Sequence, residues 1–117
     1  KRPIVLEFIF ATCTTICPVL TATLAGFQDR LGGGEARRPQ LVSITIDPEH
    51  DTPEVLAAYA ERFGADAGWL FLTGSRRDVD RVMKAFDVYE PDKMNHRPVV
   101  FLKPPGPAPW TRLEGLF

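Results

Sequence analysis

The sequence is poor in several features, and each shortage excludes a class of protein. It contains only two cysteines and two histidines among 117 residues. Two cysteines are too few for the disulfide framework of a small secreted scaffold. No apolar run approaches the ~20 residues that a membrane-spanning helix needs. Its 14 lysines and arginines nearly balance 15 aspartates and glutamates, so no positive field suggests nucleic acid or an anionic membrane surface as a partner.

Both termini look like interior chain. The sequence begins at Lys1 rather than at methionine, passes at once into an apolar run, and stops abruptly at Phe117. Nothing in it resembles a signal peptide. Its length and its 44% apolar content suit one domain with a real core. We therefore expect residues 1–117 to be a single domain, truncated at both ends, from a longer protein whose leader or membrane anchor lies upstream.

Apolar runs and helical periodicity alternate along the chain. β-Branched and aromatic runs predict strands over 4–10, 41–46, 69–72 and 99–102, with a fifth, antiparallel strand over 110–116. Helical spacing predicts helices over 18–31, over 53–63 and after Ser75. For the second helix, Asp51 or Thr52 is the expected N-cap, Pro53 the first residue, and Gly64 the residue that ends it. This order favours an α/β fold with a central mixed sheet, mostly parallel, that is flanked by helices and closed by an antiparallel hairpin. It matches a thioredoxin-like fold without its last helix.

The two cysteines are spaced C-x3-C, at the point where the first strand turns into the first helix. Sites in open parallel sheets collect beyond the carboxyl ends of the strands. Residues four apart on a helix lie ~5–6 Å apart between Cβ atoms, so Cys13 and Cys17 could share a metal ion. A small shift would also allow a disulfide. A helix N-terminus favours thiolates, so two inert buried cysteines are the weaker interpretation.

Neighbouring residues argue against two familiar thiol chemistries. The spacing is not the C-x2-C of thioredoxins, and no Gly-Pro separates the cysteines. Phe10 stands where a peroxiredoxin would need proline. We therefore discount peroxidase chemistry and keep open a metal site and a reversible dithiol.

His96 precedes the fourth predicted strand, at a junction that we expect to face the start of the first helix. Two thiolates and one imidazole suit Cu(I), or Cu(II) with further ligands, whereas zinc would require a fourth ligand. We expect His50 to be a solvated loop residue and Met94 to pack on the rim. Asp47, directly after the second strand, has two interpretations: it hydrogen-bonds a metal ligand, or it caps the turn before Pro48.

Three segments together resemble the Sco/SenC family: residues 10–18 (FATCTTICP), residues 43–53 (SITIDPEHDTP), and the single histidine before a strand. The resemblance implies a thioredoxin-fold protein tethered outside the bacterial cytoplasmic membrane or in the mitochondrial inner membrane. Such proteins bind copper and help to assemble the binuclear copper centre of cytochrome c oxidase. It places the copper ligands on Cys13, Cys17 and His96, and a nearby aspartate on Asp47.

The surroundings of His96 depart from the family pattern. An acidic neighbour is replaced by Asn95, which could alter copper affinity or the choice of partner. Pro98 stands where many thioredoxins have a cis-proline facing the dithiol, so we predict that the Arg97–Pro98 bond is cis.

Three functions are compatible with these residues. The first is a copper metallochaperone acting outside the cytoplasm, with the oxidase subunit that carries the binuclear copper centre, or another copper or thiol partner, as its recipient. The second is an enzyme, a thiol–disulfide oxidoreductase that uses Cys13 and Cys17 without metal. The third is a redox or copper sensor. The first two differ over His96, which metal binding requires and dithiol exchange does not.

Overall fold

The computed structural model describes residues 2–12, 16–30, 39–66, 68–92 and 99–114, with only the backbone for 16–18, 29 and 30. The predicted order of strands and helices is confirmed over these ranges. The strands are β1 (Ile4–Ile9), β2 (Gln40–Thr45), β3 (Leu70–Leu72), β4 (Val99–Lys103) and β5 (Thr111–Glu114), and the helices are α1 (Ile16–Arg30), α2 (Pro53–Arg62) and α3 (Arg76–Ala85).

The strands form one mixed sheet in the order β3-β2-β1-β4-β5. Strand β1 pairs in parallel with β2, which pairs in parallel with β3, whereas β4 runs antiparallel to both β1 and β5. The expected mixed sheet is therefore confirmed, and its parallel part comprises β1 to β3, whereas the expectation that β4 is also parallel is wrong. Alternation of helices and strands does not fix the direction of β4, because the connection over residues 86–98 is long enough to return the chain to either end of the sheet.

The direction of β4 decides where the chain enters it. Glu7 pairs with Val100 and Ile4 pairs with Lys103, so β4 begins where β1 ends. We call this end of the sheet the carboxyl edge; it comprises residues 10–12, residues 46–51 and the start of β4. The turn over residues 104–110 lies at the opposite end.

Apolar side chains cover both faces of the sheet. On one face Leu20 and Leu24 of α1 pack against the sheet together with Tyr59 of α2, whose hydroxyl lies 2.8 Å from that of Thr21, and on the other face Met83 of α3 does so. Phe8 is 1% exposed and meets the ring of Phe101 edge-on at 6.1 Å between centroids. Burying one such side chain stabilises the fold by ~2 kcal/mol. Over the described ranges no helix is long and apolar enough to cross a membrane.

Helix α1 begins at Ile16, two residues earlier than the sequence predicts. Pro18 is then the third residue of the helix. The N–H groups of a first helical turn have no acceptor within the helix, so a proline there loses no hydrogen bond. As a result the backbone of Cys17 belongs to the first turn of α1 rather than to the loop before it.

Helix α2 begins as the sequence indicates. The Thr52 side chain accepts the Val55 N–H at 3.3 Å, so Thr52 rather than Asp51 is the N-cap, and Pro53 opens the helix. Gly64 follows the helix with a φ of 68°, a conformation that favours glycine.

Removing this cap has a predictable cost. The Thr52→Ala substitution should lower the free energy of unfolding by about 1 kcal/mol in urea denaturation, because the Val55 N–H loses its acceptor. Glu61→Ala, at an exposed position of the same helix, is the matched control and should change it by less than about 0.5 kcal/mol. Equal losses in both variants would contradict a capping role for Thr52.

Candidate metal centre

The carboxyl edge brings together the segments to which the sequence assigns the site. The Ile46 N–H donates to the Ile9 carbonyl at 2.8 Å, so the chains leaving β1 and β2 stay side by side beyond the strands. Helix α1 starts at Ile16 on the chain that leaves β1, and Val99 opens β4 at the same end of the sheet. Three separate stretches of sequence therefore meet there.

The predicted ligands are only partly within the described residues. Cys13, His96 and Met94 lie outside them, as does the Arg97–Pro98 bond, and Cys17 is placed by its backbone alone, in the first turn of α1. Their arrangement around a metal ion therefore stays a prediction.

Asp51 connects the chain that follows β1 to the chain that follows β2 through hydrogen bonds. Its carboxylate is fully buried, and one oxygen accepts the Ala11 N–H at 2.9 Å and the Thr45 hydroxyl at 2.7 Å. The other oxygen lies 2.9 Å from Nδ1 of His50. Because Ala11 is two residues before Cys13, Asp51 fixes the start of the cysteine loop against the chain that leaves β2. Sequence reasoning considered Asp51 only as an N-cap; the signal for more was that Thr52-Pro53 already supplies a helix start.

His50 is about half exposed, as expected for a loop residue, and it also contacts Asp51. A carboxylate only accepts, so His50 donates from Nδ1. One ligand atom each from Asp47, His50 and Asp51 lies within 4.8 Å of the others. These oxygen and nitrogen atoms are harder metal ligands, in the hard–soft sense, than the two thiolates and the imidazole predicted from the sequence.

Asp47 shapes the turn at this edge through its backbone. Its carbonyl accepts the N–H groups of His50 at 3.2 Å and Asp51 at 2.9 Å, and its own N–H donates to the Thr45 hydroxyl at 2.9 Å. The residue is only 8% exposed. Asp47 thus takes part in the turn through its backbone, while capping by its side chain and a hydrogen bond between Asp47 and a metal ligand both stay predictions.

An exposed arginine holds the outer side of the same loop. The Arg76 guanidinium donates to both carboxylate oxygens of Glu49, at 2.6 and 3.0 Å, and to Asp80 at 2.9 Å. It also reaches the Ile46 carbonyl at 3.2 Å. The hydrogen bonds to Glu49 raise the pKa of Arg76 above its ordinary value. Because the ion pairs are exposed, they contribute at most about 1 kcal/mol to stability.

Beneath α1 the structure contains a buried carboxyl group that the sequence did not identify as functional. Glu7 of β1 is 0% exposed and accepts the Ser43 hydroxyl at 2.5 Å and the Thr21 hydroxyl at 3.2 Å. Trp69 donates its indole N–H to Ser43 at 3.0 Å, and the Tyr59 hydroxyl lies 2.8 Å from that of Thr21. We call these five residues the Glu7 network. The only sequence signal was one charge within an otherwise apolar strand.

The Glu7 network leaves this carboxyl group with an unusual acidity. Burial raises the pKa of Glu7 from its ordinary value of 4.5 to about 7, although the hydrogen bonds from Ser43 and Thr21 act in the opposite direction. The effect of lost hydration on the pKa of Glu7 is thus larger than the effect of the two hydroxyl donors.

Comparison with known protein families gives one extensive match. A model of the SCO1/SenC family matches residues 1–108. The SCO1 protein homolog of Bacillus subtilis strain 168 is 35% identical over 83 residues, which cover 68% of this chain and 42% of that protein. The matched region thus spans less than half the length of this relative.

Solved structures agree with the family match. A SCO1/SenC family lipoprotein from Bacillus anthracis str. Ames is 30% identical, with a TM-score of 0.77 over 97% of this chain and 71% of that chain. Copper-bound ScoI of Arabidopsis thaliana is 26% identical, with a TM-score of 0.74 over 94% of this chain and 73% of that chain. The predicted thioredoxin-like α/β fold is confirmed by these similarities.

Proposed function

Because this chain belongs to the SCO1/SenC family, we propose that it is a copper metallochaperone. Its cargo is a copper ion held by the thiolates of Cys13 and Cys17 and the imidazole of His96. Soft sulfur donors select Cu(I), and imidazole serves both oxidation states of copper. The copper-bound Arabidopsis thaliana relative supports copper as the metal.

The observation that carries the proposal is the meeting of three segments at the carboxyl edge. The cysteine loop follows Ala11, whose N–H is held by the buried Asp51. The chain carrying His96 enters β4 at Val99, at the same end of the sheet. A loop fixed at one end costs less conformational entropy to close around a metal than a free loop does.

The local charges also favour thiolates at this position. Cys17 lies in the first turn of α1, where the partial positive charge of the helix N-terminus lowers a thiol pKa. No acidic residue lies in that turn. Two thiolates then more than balance the single charge of Cu(I). Asp47, buried nearby, is the residue we propose to orient a ligand by a hydrogen bond.

The recipient and the location follow from the family rather than from this chain. We propose delivery to the cytochrome c oxidase subunit that carries the binuclear copper centre, outside the cytoplasm, by a protein anchored to the membrane. The relative from Bacillus anthracis is a lipoprotein, which supports an extracytoplasmic, anchored protein.

Copper titration of the reduced protein tests the binding. We expect sulfur-to-copper charge-transfer absorption to saturate at one copper per chain in the wild type. The His96→Ala variant should lose at least about tenfold in affinity, in competition with a chromogenic copper chelator. His50→Ala is the matched control, since it removes a histidine from the same edge, and its affinity should stay within about threefold of the wild type. A reduced wild-type protein that binds no copper would overturn the proposal.

The same variants separate the metallochaperone from an oxidoreductase. Dithiol exchange requires Cys13 and Cys17 alone, so His96→Ala should retain most of any activity in disulfide reduction while losing copper. Rapid exchange in a wild-type protein that binds no copper would favour the oxidoreductase. Equal loss of both activities in His96→Ala would argue that His96 acts on the cysteines rather than on the metal.

A further inference from the structure

The Glu7 network includes Thr21, which lies on the same helix as Cys17. Thr21 follows Cys17 by four residues within α1, and residues four apart share one face of a helix. The Thr21 hydroxyl is 3.2 Å from a carboxylate oxygen of Glu7. Glu7 is also six residues before Cys13, on the strand that leads into the cysteine loop. The buried carboxyl group is therefore about one helical turn from the position of Cys17.

The side chains that surround Glu7 come from several helices and strands, and all of them are neutral. Thr21 of α1 and Ser43 of β2 contact the carboxylate directly. Tyr59 of α2 contacts Thr21, and Trp69, just before β3, contacts Ser43. On β4, Val100 is the strand partner of Glu7. Tyr59 is the one titratable group among them. Within the described ranges, no cation contacts the Glu7 carboxylate.

The hydrogen bonds run towards Glu7. Ser43 accepts the Trp69 N–H and so directs its own proton to the carboxylate. Thr21 likewise donates to Glu7, so the Tyr59 hydroxyl donates to Thr21. This arrangement solvates a carboxylate without neutralising its charge, and burial keeps its pKa near 7. The group can therefore gain or lose a proton under ordinary conditions.

From this geometry we propose that Glu7 takes up a proton when the cysteine pair becomes a copper thiolate centre, and thereby offsets the negative charge that forms there. The inference rests on the proposed role of Cys13 and Cys17 as ligands. Two thiols, one Cu(I) ion and the Glu7 carboxylate give a dithiolate–copper anion, a protonated Glu7 and one proton released to solvent. With glutamine at position 7, both protons are released.

The expected coupling is large enough to measure. The ~5–6 Å between Cβ positions one helical turn apart and the 3.2 Å contact between Thr21 and Glu7 add up to about 9 Å between the Cys17 position and the Glu7 carboxylate. At an effective dielectric constant of ~20, a unit charge at that distance moves a titration midpoint by about one pH unit or slightly more.

Carboxyl carbon NMR of protein labelled with ¹³C-glutamate tests this directly. The Glu7 signal is assigned by its loss in the Glu7→Gln variant. We expect its midpoint to lie about one pH unit higher in the Cu(I)-loaded protein than in the disulfide form, whose cysteine pair is uncharged. A midpoint that is the same in both forms would overturn the inference while leaving the proposed copper function intact.

A metal-free measurement keeps the inference testable if the chain binds no copper. Removing the Glu7 charge should lower the pH midpoint of thiol alkylation by iodoacetamide by about one unit in Glu7→Gln. The matched control, Glu54→Gln, removes an exposed negative charge and should leave the midpoint unchanged. Absence of copper binding would contradict the proposed function alone. Identical alkylation profiles for wild type and Glu7→Gln would contradict the coupling itself.

Discussion

The Glu7→Gln variant should become more stable relative to the wild type as the pH rises, gaining about 2 kcal/mol between about pH 5.5 and about pH 8.5. Burial favours the protonated form of Glu7, so the folded protein binds this proton more tightly than the unfolded chain does. The resulting stabilisation is fully present below the ordinary pKa of 4.5 and is lost as the pH rises through about 7. Glutamine carries no charge and avoids that loss.

Urea denaturation of both proteins across this range measures the difference. Other carboxyl groups titrate equally in the two chains, so the gap between their free energies of unfolding isolates Glu7. The exposed Glu54→Gln change serves as the control, and its curve should run parallel to that of the wild type. A constant gap between Glu7→Gln and wild type would mean that Glu7 has an ordinary pKa in the folded protein.

The second large effect concerns Asp51. The Asp51→Ala substitution should lower the free energy of unfolding by about 3 kcal/mol, because it leaves the Ala11 N–H and the buried Thr45 hydroxyl without their acceptor. It should also weaken copper binding, because the cysteine loop loses its attachment to the chain after β2. Urea denaturation and chelator competition measure the two effects.

Glu49→Ala is the matched control for this change. Glu49 lies in the same loop, but its contact with Arg76 is exposed, so its removal should cost less than about 1 kcal/mol. Copper affinity should remain near that of the wild type. If Asp51→Ala lost no more stability and no more copper affinity than Glu49→Ala, the loop would not depend on the hydrogen bond between Asp51 and Ala11.

Local signals predicted the helices and strands well because each depends on a few adjacent residues. Thr52 and Pro53 were enough to place the start of α2, and Gly64 its end. The start of α1 was predicted two residues late, because Pro18 is compatible with any position in a first turn.

Features that depend on distant residues were harder to predict. The direction of β4 is set by pairing with β1, and a long connection leaves that direction open. Glu7 was visible as a charge in a buried strand, but Thr21 and Ser43 join it from elements 14 and 36 residues away. Asp51 reaches Ala11 across 40 residues. The ligands proposed for the candidate site came from the sequence and stay a prediction, whereas the contacts that support the site became visible only in the fold.

The antiparallel entry of β4 also leaves a convenient position for a reporter group. Because Lys103 pairs with Ile4, the exposed turn over 104–110 begins a full β1 length from the carboxyl edge. At ~3.3 Å per residue, the six residues of β1 set that separation at roughly 20 Å. A fluorophore attached to the turn would sense quenching by a copper ion at the far end, and a surface tether placed there would leave the opposite end open to solution.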